Sequence, residues 1–250
     1  MRRIGLALTA VLAVIMLAPF FYMVSRVARP EDYAGALTAA PFARFWVNSV
    51  LFAGAAAAGQ VLTSAAAAYA FARLRFPGRD RVFLVFLSVS LVPGIALLVP
   101  RFLLIDGLGW FDSYAGLISS ELVSVWEIFY LRQQFLTLPR ELEDAARLDG
   151  AGEWTIFWRV MLPLAQPALG TLALLAFVDE WKNMLWPLVA TRSVEMQVLE
   201  VGLFRFHNAY FGNGPYQMAA AVAATLPLLL VFLVMQRYFI RGLPPAVSRS

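Results

Sequence analysis

Six long apolar segments constrain the fold of this chain more than any other feature of its sequence. They lie near residues 4–27, 45–72, 82–100, 114–131, 164–189 and 218–238. A helix rises about 1.5 Å per residue, so about 20 apolar residues cross a hydrocarbon core roughly 30 Å thick. Lipid also forces the backbone to satisfy its own hydrogen bonds. We therefore predict an all-α, polytopic membrane helix bundle with about six transmembrane helices, forming a single domain over residues 1–250.

Composition supports the membrane class and argues against a nucleic-acid partner. The chain is 61% hydrophobic and only 14% charged, and its net charge of +4 comes from arginines clustered between apolar runs. That placement indicates membrane orientation rather than nucleic-acid binding. A cleaved signal peptide is the alternative for the first segment. Its apolar run from Ile4 to Val24 exceeds the usual length of about 7 to 15 residues, which favours a span.

The distribution of basic residues predicts the orientation of the spans. If the N-terminus is cytoplasmic, the inner segments carry 13 arginines and the outer segments carry 6, with Lys182 inside a span. Basic loops resist translocation across the membrane. We therefore expect both termini to face the cytoplasm.

Missing residue types exclude several function classes. The chain has no cysteine, one histidine (His207) and one lysine (Lys182). Disulfide frameworks, thiolate metal sites and bis-histidine haem ligation are thereby excluded, and we expect no metal or cofactor. The single lysine is not in a Gly-Lys-Ser/Thr context, so a P-loop is absent and any ATPase must be a partner.

Glycine and proline give the spans their local character. In the second span the pairs Gly54/Ala58 and Ala55/Gly59 predict close approach of another helix. Other spans are interrupted at Pro93-Gly94, Pro167, Gly170, Pro187 and Pro227. Such breaks suit a helix that lines a pathway, and they equally suit a kinked packing helix.

The longest inner loop, about 132–163, carries the most distinctive pattern. Pro139 at a first turn, acidic residues after it and Gly150 as a left-handed cap predict a short helix from about Pro139 to Asp149. One of its faces is small and mildly apolar, and it consists of Leu142, Ala145, Ala146 and Asp149. This face suits docking to another protein, and an ordinary loop helix is the alternative.

The same loop carries a recognisable motif. Asp144-Ala145-Ala146-Arg147-Leu148-Asp149-Gly150 is followed nine residues later by Val160-Met161-Leu162-Pro163. This resembles the Glu-Ala-Ala loop of binding-protein-dependent importer permeases, with Asp144 where that family usually has Glu. The resemblance implies that Asp144, Ala145, Ala146, Asp149 and Gly150, with Leu162 and Pro163 closing the motif, couple the chain to a cytoplasmic ATPase.

The resemblance extends along the chain to the sugar-type, maltose-system-like permeases. It includes Asn48-Ser49, the run Ala68–Arg73, Trp181-Lys182-Asn183, Trp186-Pro187-Leu188 and the tail Gln236–Leu243. Lys182 and Pro245 depart from the usual pattern. The resemblance implies a non-catalytic permease of an ATP-driven importer in the bacterial inner membrane. Its expected partners are ATPase subunits, a second homologous permease, an extracytoplasmic solute-binding protein and membrane lipid.

Polar and aromatic residues in and near the spans are candidates for a translocation path. These candidates are Asn48, Asp179, Trp181, Asn183 and Trp186. Charges within spans are unfavourable, by about 2.5–3.5 kcal/mol each on insertion scales, so Asp179, Glu180 and Lys182 call for an explanation. The alternative is that this cluster lies near the outer end of its span, with Lys182 paired to Asp179. The outer loop 205–217, with His207 and Tyr216, is either a binding-protein contact or simply a polar loop.

Two rival functions remain. An ion-coupled secondary transporter would use broken helices and an intramembrane acidic cluster, although the spacing of the inner loop argues against it. A membrane enzyme has little chemistry available here, because the chain lacks cysteine and carries one histidine.

Overall fold

The computed structural model describes residues 2–26, 30–210 and 214–242, and the regular secondary structure of those residues is entirely helical. This confirms the predicted all-α fold class. The α-helices are α1 (Arg2–Arg26), α2 (Pro30–Ala39), α3 (Phe42–Arg73), α4 (Arg79–Ser88), α5 (Leu98–Gly107), α6 (Tyr114–Ser119), α7 (Val125–Thr137), α8 (Glu141–Leu148), α9 (Glu153–Ile156), α10 (Leu162–Leu164), α11 (Gln166–Trp181), α12 (Leu185–Ala190), α13 (Leu199–Ala209) and α14 (Gly214–Gly242).

The long helix α3 is the axis of the bundle. At about 1.5 Å per residue its 32 residues extend roughly 48 Å. It packs against α7 and α11, and its small residues Ala53, Ala56 and Ala57 are buried. The predicted small-residue face is rotated from the observed one, because Ala55 and Ala58 are exposed. Sequence alone locates the small residues, but which face is covered depends on neighbouring helices.

The third and fifth predicted spans are not single straight helices. The third is bent by 93° between Arg79–Leu91 and Gly94–Gly107, at the predicted Pro93-Gly94 break. The segment before Pro167 is bent by 78° relative to α11. The fifth span, predicted over 164–189, is divided between two helices: α11 ends at Trp181, and α12 begins at Leu185.

The fourth predicted span, 114–131, is wrong as a continuous helix. It divides into α6 and α7, each of which begins after a serine cap. The hydroxyl oxygen of Ser113 accepts a hydrogen bond from the amide of Gly116, and that of Ser124 accepts one from the amide of Glu127. Serine side chains compete for amides in this way, and they favour a new helix start over continuation.

The number of helices long enough to span a membrane can be compared with the predicted number of spans. Among the described residues, two helical stretches, Phe42–Arg73 and Gly214–Val231, are long and apolar enough to cross a membrane. The number rises to four when each bent pair counts as one span. A shorter apolar helical stretch, Val11–Ser25, lies within α1. The predicted total of about six therefore stays a prediction.

Three buried clusters contact α3, two beside its first half and one near its Arg73 end. The first, near its Phe42 end, joins α3 to α11, α13 and α14, and includes Trp181 and Phe206. The second contains Phe52 and Trp186. The third, near the Arg73 end, joins α3 to α7 and the segment after α8, and includes Tyr69 and Phe135. Helix α8 is thus seated beside the third cluster.

Candidate functional site

Helix α8 occupies the position that the loop pattern predicts. It runs from Glu141 to Leu148, Asp149 caps it, and Gly150 adopts the left-handed conformation at φ +83°. Acidic residues fill its first turn, where they complement the positive end of the helix dipole. Pro139 lies just before the helix rather than in its first turn. The predicted helix and its glycine cap are confirmed.

A buried ion pair fastens α8 to the end of α3. The Nε atom of Arg73 lies 2.9 Å from Oε1 of Glu143, and these side chains are only 2% and 3% exposed. The guanidinium of Arg73 also donates hydrogen bonds to the carbonyl oxygens of Leu138, at 2.7 Å, and Phe135. These carbonyls lie at the end of α7, where a helix leaves acceptors unsatisfied. One side chain therefore joins α3, α7 and α8.

Arg147 forms a second, more exposed attachment. Its guanidinium contacts Glu143 at 3.3 Å, Asp144 at 2.9 Å and Glu153 at 3.0 Å. The hydrogen bond to Glu153 raises the pKa of Arg147 above its ordinary value, so it stays charged. Tyr69 of α3 donates to Oε2 of Glu153 at 2.6 Å. The chain from Tyr69 through Glu153 to Arg147 connects α3, α9 and α8.

The outward face of α8 matches most of the predicted docking face. Leu142, Ala145 and Asp149 are exposed, whereas Ala146 is half-buried against the third cluster. Leu148 is 90% exposed, and the loop pattern did not single it out. The free surface of α8 is therefore apolar along its centre and acidic at its edges.

The closing residues of the motif lie just beyond α9. A π-helical turn covers Phe157–Met161, and Leu162 and Pro163 follow it in α10. Leu162 is half-buried against the third cluster, and Pro163 is exposed. A proline ring clashes with the carbonyl one turn earlier in a regular helix, and the wider π turn lies at that place.

A second group of polar residues gathers beside the middle of α3. Gln60 donates to Oε1 of Glu180 at 2.8 Å and to the carbonyl oxygen of Glu121 at 2.8 Å. Asn183 donates to Oε2 of Glu180 at 3.0 Å. The predicted path residue Asn183 thus holds a glutamate in place. The sequence interpretation noted Glu180 as a charge within a span, but it missed Gln60, Glu121 and Glu127.

Arg101 links this group to Trp186. Its guanidinium forms an ion pair with Glu121 and lies 4.2 Å from the ring centroid of Trp186. The indole nitrogen of Trp186 donates to the carbonyl oxygen of Leu117 at 3.0 Å, and the side chain is 1% exposed. Trp186 is therefore a buried packing residue in this conformation, and Arg101 stacks on it as a cation.

The remaining path candidates are divided between the core and the surface. The amide nitrogen of Asn48 donates to the carbonyls of Glu195 and Gln197, and its oxygen accepts from Tyr114. Asn48 is fully buried, and this bonding leaves it no amide hydrogen for a solute. Trp181 is 3% exposed.

Asp179 lies on the surface of α11, where its side chain is 77% exposed. Its Oδ1 is 3.8 Å from Nζ of Lys182, the pairing that the alternative interpretation anticipated. The structure therefore does not gather the five path candidates at one surface. It brings Asp179, Asn183 and Glu180 to one region and keeps Asn48 and both tryptophans inside the protein.

Two sequence expectations lie partly or wholly outside the described residues. In the outer loop 205–217, residues 211–213 are outside the described part, and Gln217 donates to the carbonyl of Tyr210 at 2.9 Å. The side chains of the tail motif Gln236–Leu243 lie outside the described part as well.

Comparison with known proteins agrees with the loop motif. Residues 60–243 match the family model for the binding-protein-dependent transport system inner membrane component. The arabinooligosaccharides transport system permease protein AraQ of Bacillus subtilis (strain 168) is 41% identical over 175 residues, which are 70% of this chain and 62% of that protein. The matched region thus spans less than two thirds of the length of AraQ.

Other relatives match over longer stretches. The lactose transport system permease protein LacG of Rhizobium radiobacter is 35% identical, covering 82% of this chain and 74% of that protein. The sn-glycerol-3-phosphate transport system permease protein UgpE of Brucella abortus (strain 2308) is 35% identical, covering 78% and 70%.

The fold also matches a solved structure. A crystal structure of a bacterial ABC transporter involved in import of the acidic polysaccharide alginate contains a chain that superposes with a TM-score of 0.82 at 24% identity. That match covers 94% of this chain and 95% of the other, and at this identity it concerns the fold alone. Taken with the family match over residues 60–243, these likenesses establish that the chain belongs to the inner membrane components of binding-protein-dependent transport systems.

Proposed function

We propose that this chain is a permease subunit of an ATP-driven importer in a bacterial inner membrane. It would translocate a sugar, or a related polyol or sugar phosphate, that an extracytoplasmic binding protein delivers. ATP hydrolysis would take place on partner subunits, and the chain itself would be non-catalytic. The relatives are named for the transport of arabinooligosaccharides, lactose and sn-glycerol-3-phosphate, and these names support this solute class.

The seating of α8 is the observation that carries the proposal. A short helix is attached to the bundle by the buried Arg73–Glu143 pair, while Leu142, Ala145 and Leu148 remain exposed. A surface of small and apolar residues suits docking into a groove of an ATPase. Because Arg73 ends α3, a displacement of α8 on docking would be passed directly to the longest helix of the bundle.

We also propose an assembly for the permease and an orientation in the membrane. The permease would form one domain, both termini would face the cytoplasm, and a second homologous permease would complete the pathway. ATP-driven approach of two ATPase subunits would draw α8 and its counterpart in the second permease together. This movement would tip the bundle between inward-open and outward-open states. Asp144, Ala145, Ala146, Asp149 and Gly150 would move as one rigid unit in that step.

A purification of the tagged chain from its host tests the proposal. We expect a P-loop ATPase and a second permease to copurify. Replacing Gly150 by proline should abolish ATPase recovery, because proline fixes φ near −65° whereas Gly150 has φ +83°. Gly152→Pro is a nearby control, since Gly152 precedes α9 with an ordinary φ of −75°.

An ion-coupled secondary transporter is the second candidate. The observation that favours it is the pair of buried carboxylates, Glu127 and Glu180, beside the middle of α3. Ion-coupled transporters place ionisable residues at such depths. The same preparation distinguishes the two candidates: recovery of the chain without an ATPase, together with solute uptake into ATP-free vesicles, would favour the secondary transporter.

A further inference from the structure

A polar cavity of about 290 Å³ opens beside the middle of α3, between α3, α7 and α11. Four carboxylates line it, and they come from three separate segments of the chain. An amide side chain and an indole side chain also line it. These six side chains are Glu121, Glu127, Asp179, Glu180, Gln60 and Trp126.

Glu127 is the member of this wall that points to a ligand. Glu127 is only 3% exposed, and its Oε2 atom has no hydrogen-bond partner among the residues that the structure describes. Buried polar atoms are nearly always paired, since an unpaired one is unfavourable by about 1–3 kcal/mol. Because Glu127 lines the cavity, a donor that enters it would lie close to this unpaired acceptor.

The charges around the cavity do not balance. Glu121 is paired with Arg101, and Asp179 lies 3.8 Å from Lys182 on an exposed surface. Glu180 is held by the neutral side-chain amides of Gln60 and Asn183. Within the described part of the chain, no ion pair involves Glu127 or Glu180. The cavity therefore offers acceptors in excess of cations.

Trp126 gives the same cavity an aromatic wall. Its ring stacks on Tyr130 with 5.7 Å between centroids and an interplanar angle of 16°, and the side chain is 56% exposed. Aromatic faces beside a few directed polar groups are typical of sites for small ligands. The apolar face of a sugar ring packs well on such a surface, while its hydroxyl groups reach the carboxylates.

We propose that this cavity is a contact site for an uncharged, hydroxyl-rich solute on its way through the permease, and that its carboxylates disfavour anionic solutes. The proposal rests on the importer function above and specifies its substrate class. Carboxylates accept hydrogen bonds from the hydroxyl groups of a sugar, and hydrogen bonds to a charged acceptor are the stronger ones.

A negatively charged group on the solute would meet carboxylates in this cavity rather than a free cation. Two like charges about 4 Å apart repel strongly at the reduced dielectric of a partly buried site. The relatives include a permease named for sn-glycerol-3-phosphate, and the superposed structure concerns an acidic polysaccharide. The charge pattern of this chain separates its solute from both of those anions and groups it with neutral sugars.

Direct binding to the copurified complex, in nanodiscs and without the binding protein, tests the proposal. Three neutral probes, arabinotriose, lactose and galactobiose, are compared with the anions sn-glycerol 3-phosphate, lactobionate and digalacturonate by equilibrium dialysis. We expect at least one neutral probe to bind at least about tenfold more tightly than every anion. Glu127→Gln and Trp126→Ala should each weaken that binding about tenfold, because charged hydrogen bonds and aromatic contacts are lost.

Glu200→Gln is the matched control, because Glu200 is a half-buried glutamate on α13 outside the cavity. It should change binding less than twofold. An anion that binds as tightly as the neutral probes, a complex that binds none of the probes, or a Glu127→Gln variant that behaves as the Glu200 variant does would overturn the proposal. Copurification and ATP hydrolysis of the same sample report separately on the importer function, so the two failures are distinguishable.

Discussion

At the scale of single residues, Arg73 and Glu143 carry the attachment of α8 to the bundle. Both side chains are almost fully buried, and their charges compensate each other at 2.9 Å. A buried pair adds little net stability over apolar packing, but removing one partner leaves an uncompensated buried charge. Arg73 in addition satisfies the carbonyls at the end of α7. The pair therefore determines where α8 sits more than how stable the whole bundle is.

Glu143→Ala should release α8 from α3. We expect a loss of about 3–5 kcal/mol in the local stability of α8, because Arg73 loses its counter-charge in a buried place. Hydrogen exchange of the α8 amides, followed by mass spectrometry, measures this loss. Glu141→Ala changes an exposed residue of the same turn and should leave exchange nearly unchanged. Equal exchange in both variants would contradict the proposed attachment.

Asp112 attaches the loop after α12 to the segment before α6 through hydrogen bonds. Its carboxylate accepts hydrogen bonds from the backbone amides of Arg192, at 2.8 Å, and Ser193, at 3.1 Å. Burial alone would raise the pKa of Asp112, but these hydrogen bonds outweigh it and hold the pKa below its usual value. A lowered pKa means that the carboxylate stabilises the fold above its unfolded-state pKa of about 3.9.

The contribution of Asp112 should disappear as the pH falls through its lowered pKa. We expect protection of the Ser193 amide, corrected for intrinsic exchange, to decrease as the pH falls below about 4. Asp112→Asn should show weaker protection at neutral pH and no further decrease in acid. Asp106→Asn, at an exposed position of α5, serves as the control. An unchanged acid response in Asp112→Asn would assign the titration to another group.

At the scale of elements, local signals predicted starts and caps better than they predicted continuity. The acidic first turn and Gly150 placed α8 within about two residues, because capping is decided by neighbours in sequence. The division between α6 and α7 was missed although Ser113 and Ser124 both cap, because the apolar content of 114–131 outweighed them. The face of α3 that is covered was also missed, since it depends on helices distant in sequence.

Two glycines of similar helical setting should respond oppositely to alanine. A Cβ on Gly116 of α6 would lie 2.3 Å from the carbonyl oxygen of Trp110, a backbone atom that has little freedom to move. A Cβ on Gly54 of α3 would meet no atom within 4 Å. We expect Gly116→Ala to destabilise by about 1–3 kcal/mol. Gly54→Ala should stabilise by up to about 1 kcal/mol. Thermal unfolding of the two purified variants measures the difference, and similar shifts would contradict the close approach at α6.

At the scale of the whole molecule, the family and the general helical plan were predictable from sequence, but the polar interior was not. Apolar length and the loop motif identified the class, because both are local patterns. The contacts of Gln60 with Glu121 and Glu180 join residues far apart along the chain. No local sequence pattern predicts these contacts. Asn48, which the sequence predicted as a path residue, likewise contacts a distant segment, because its amide donates to the carbonyl oxygen of Gln197.

A labelling experiment can test the orientation of the chain in the membrane. The chain has no cysteine of its own, so each introduced cysteine is the only thiol that reacts. A cysteine at Asp80, near the start of α4, should react with a membrane-impermeant maleimide only in inside-out vesicles. A cysteine at Val194, after α12, should react only in right-side-out vesicles. The arginine distribution motivates this expectation. Labelling of both sites from the same side would contradict the proposed topology.

The two attachments of α8 differ in their exposure to water, and this difference gives them unequal sensitivity to salt. The guanidinium of Arg147 is 39% exposed, so mobile ions screen its contacts with Asp144 and Glu153 over a Debye length of about 8 Å at physiological ionic strength. The Arg73–Glu143 pair lies beyond the reach of those ions. Concentrated salt would therefore weaken the Arg147 contacts of α8 and leave the Arg73–Glu143 pair intact. The mobility of α8 relative to α3 would then increase with the ionic strength of the surrounding solution.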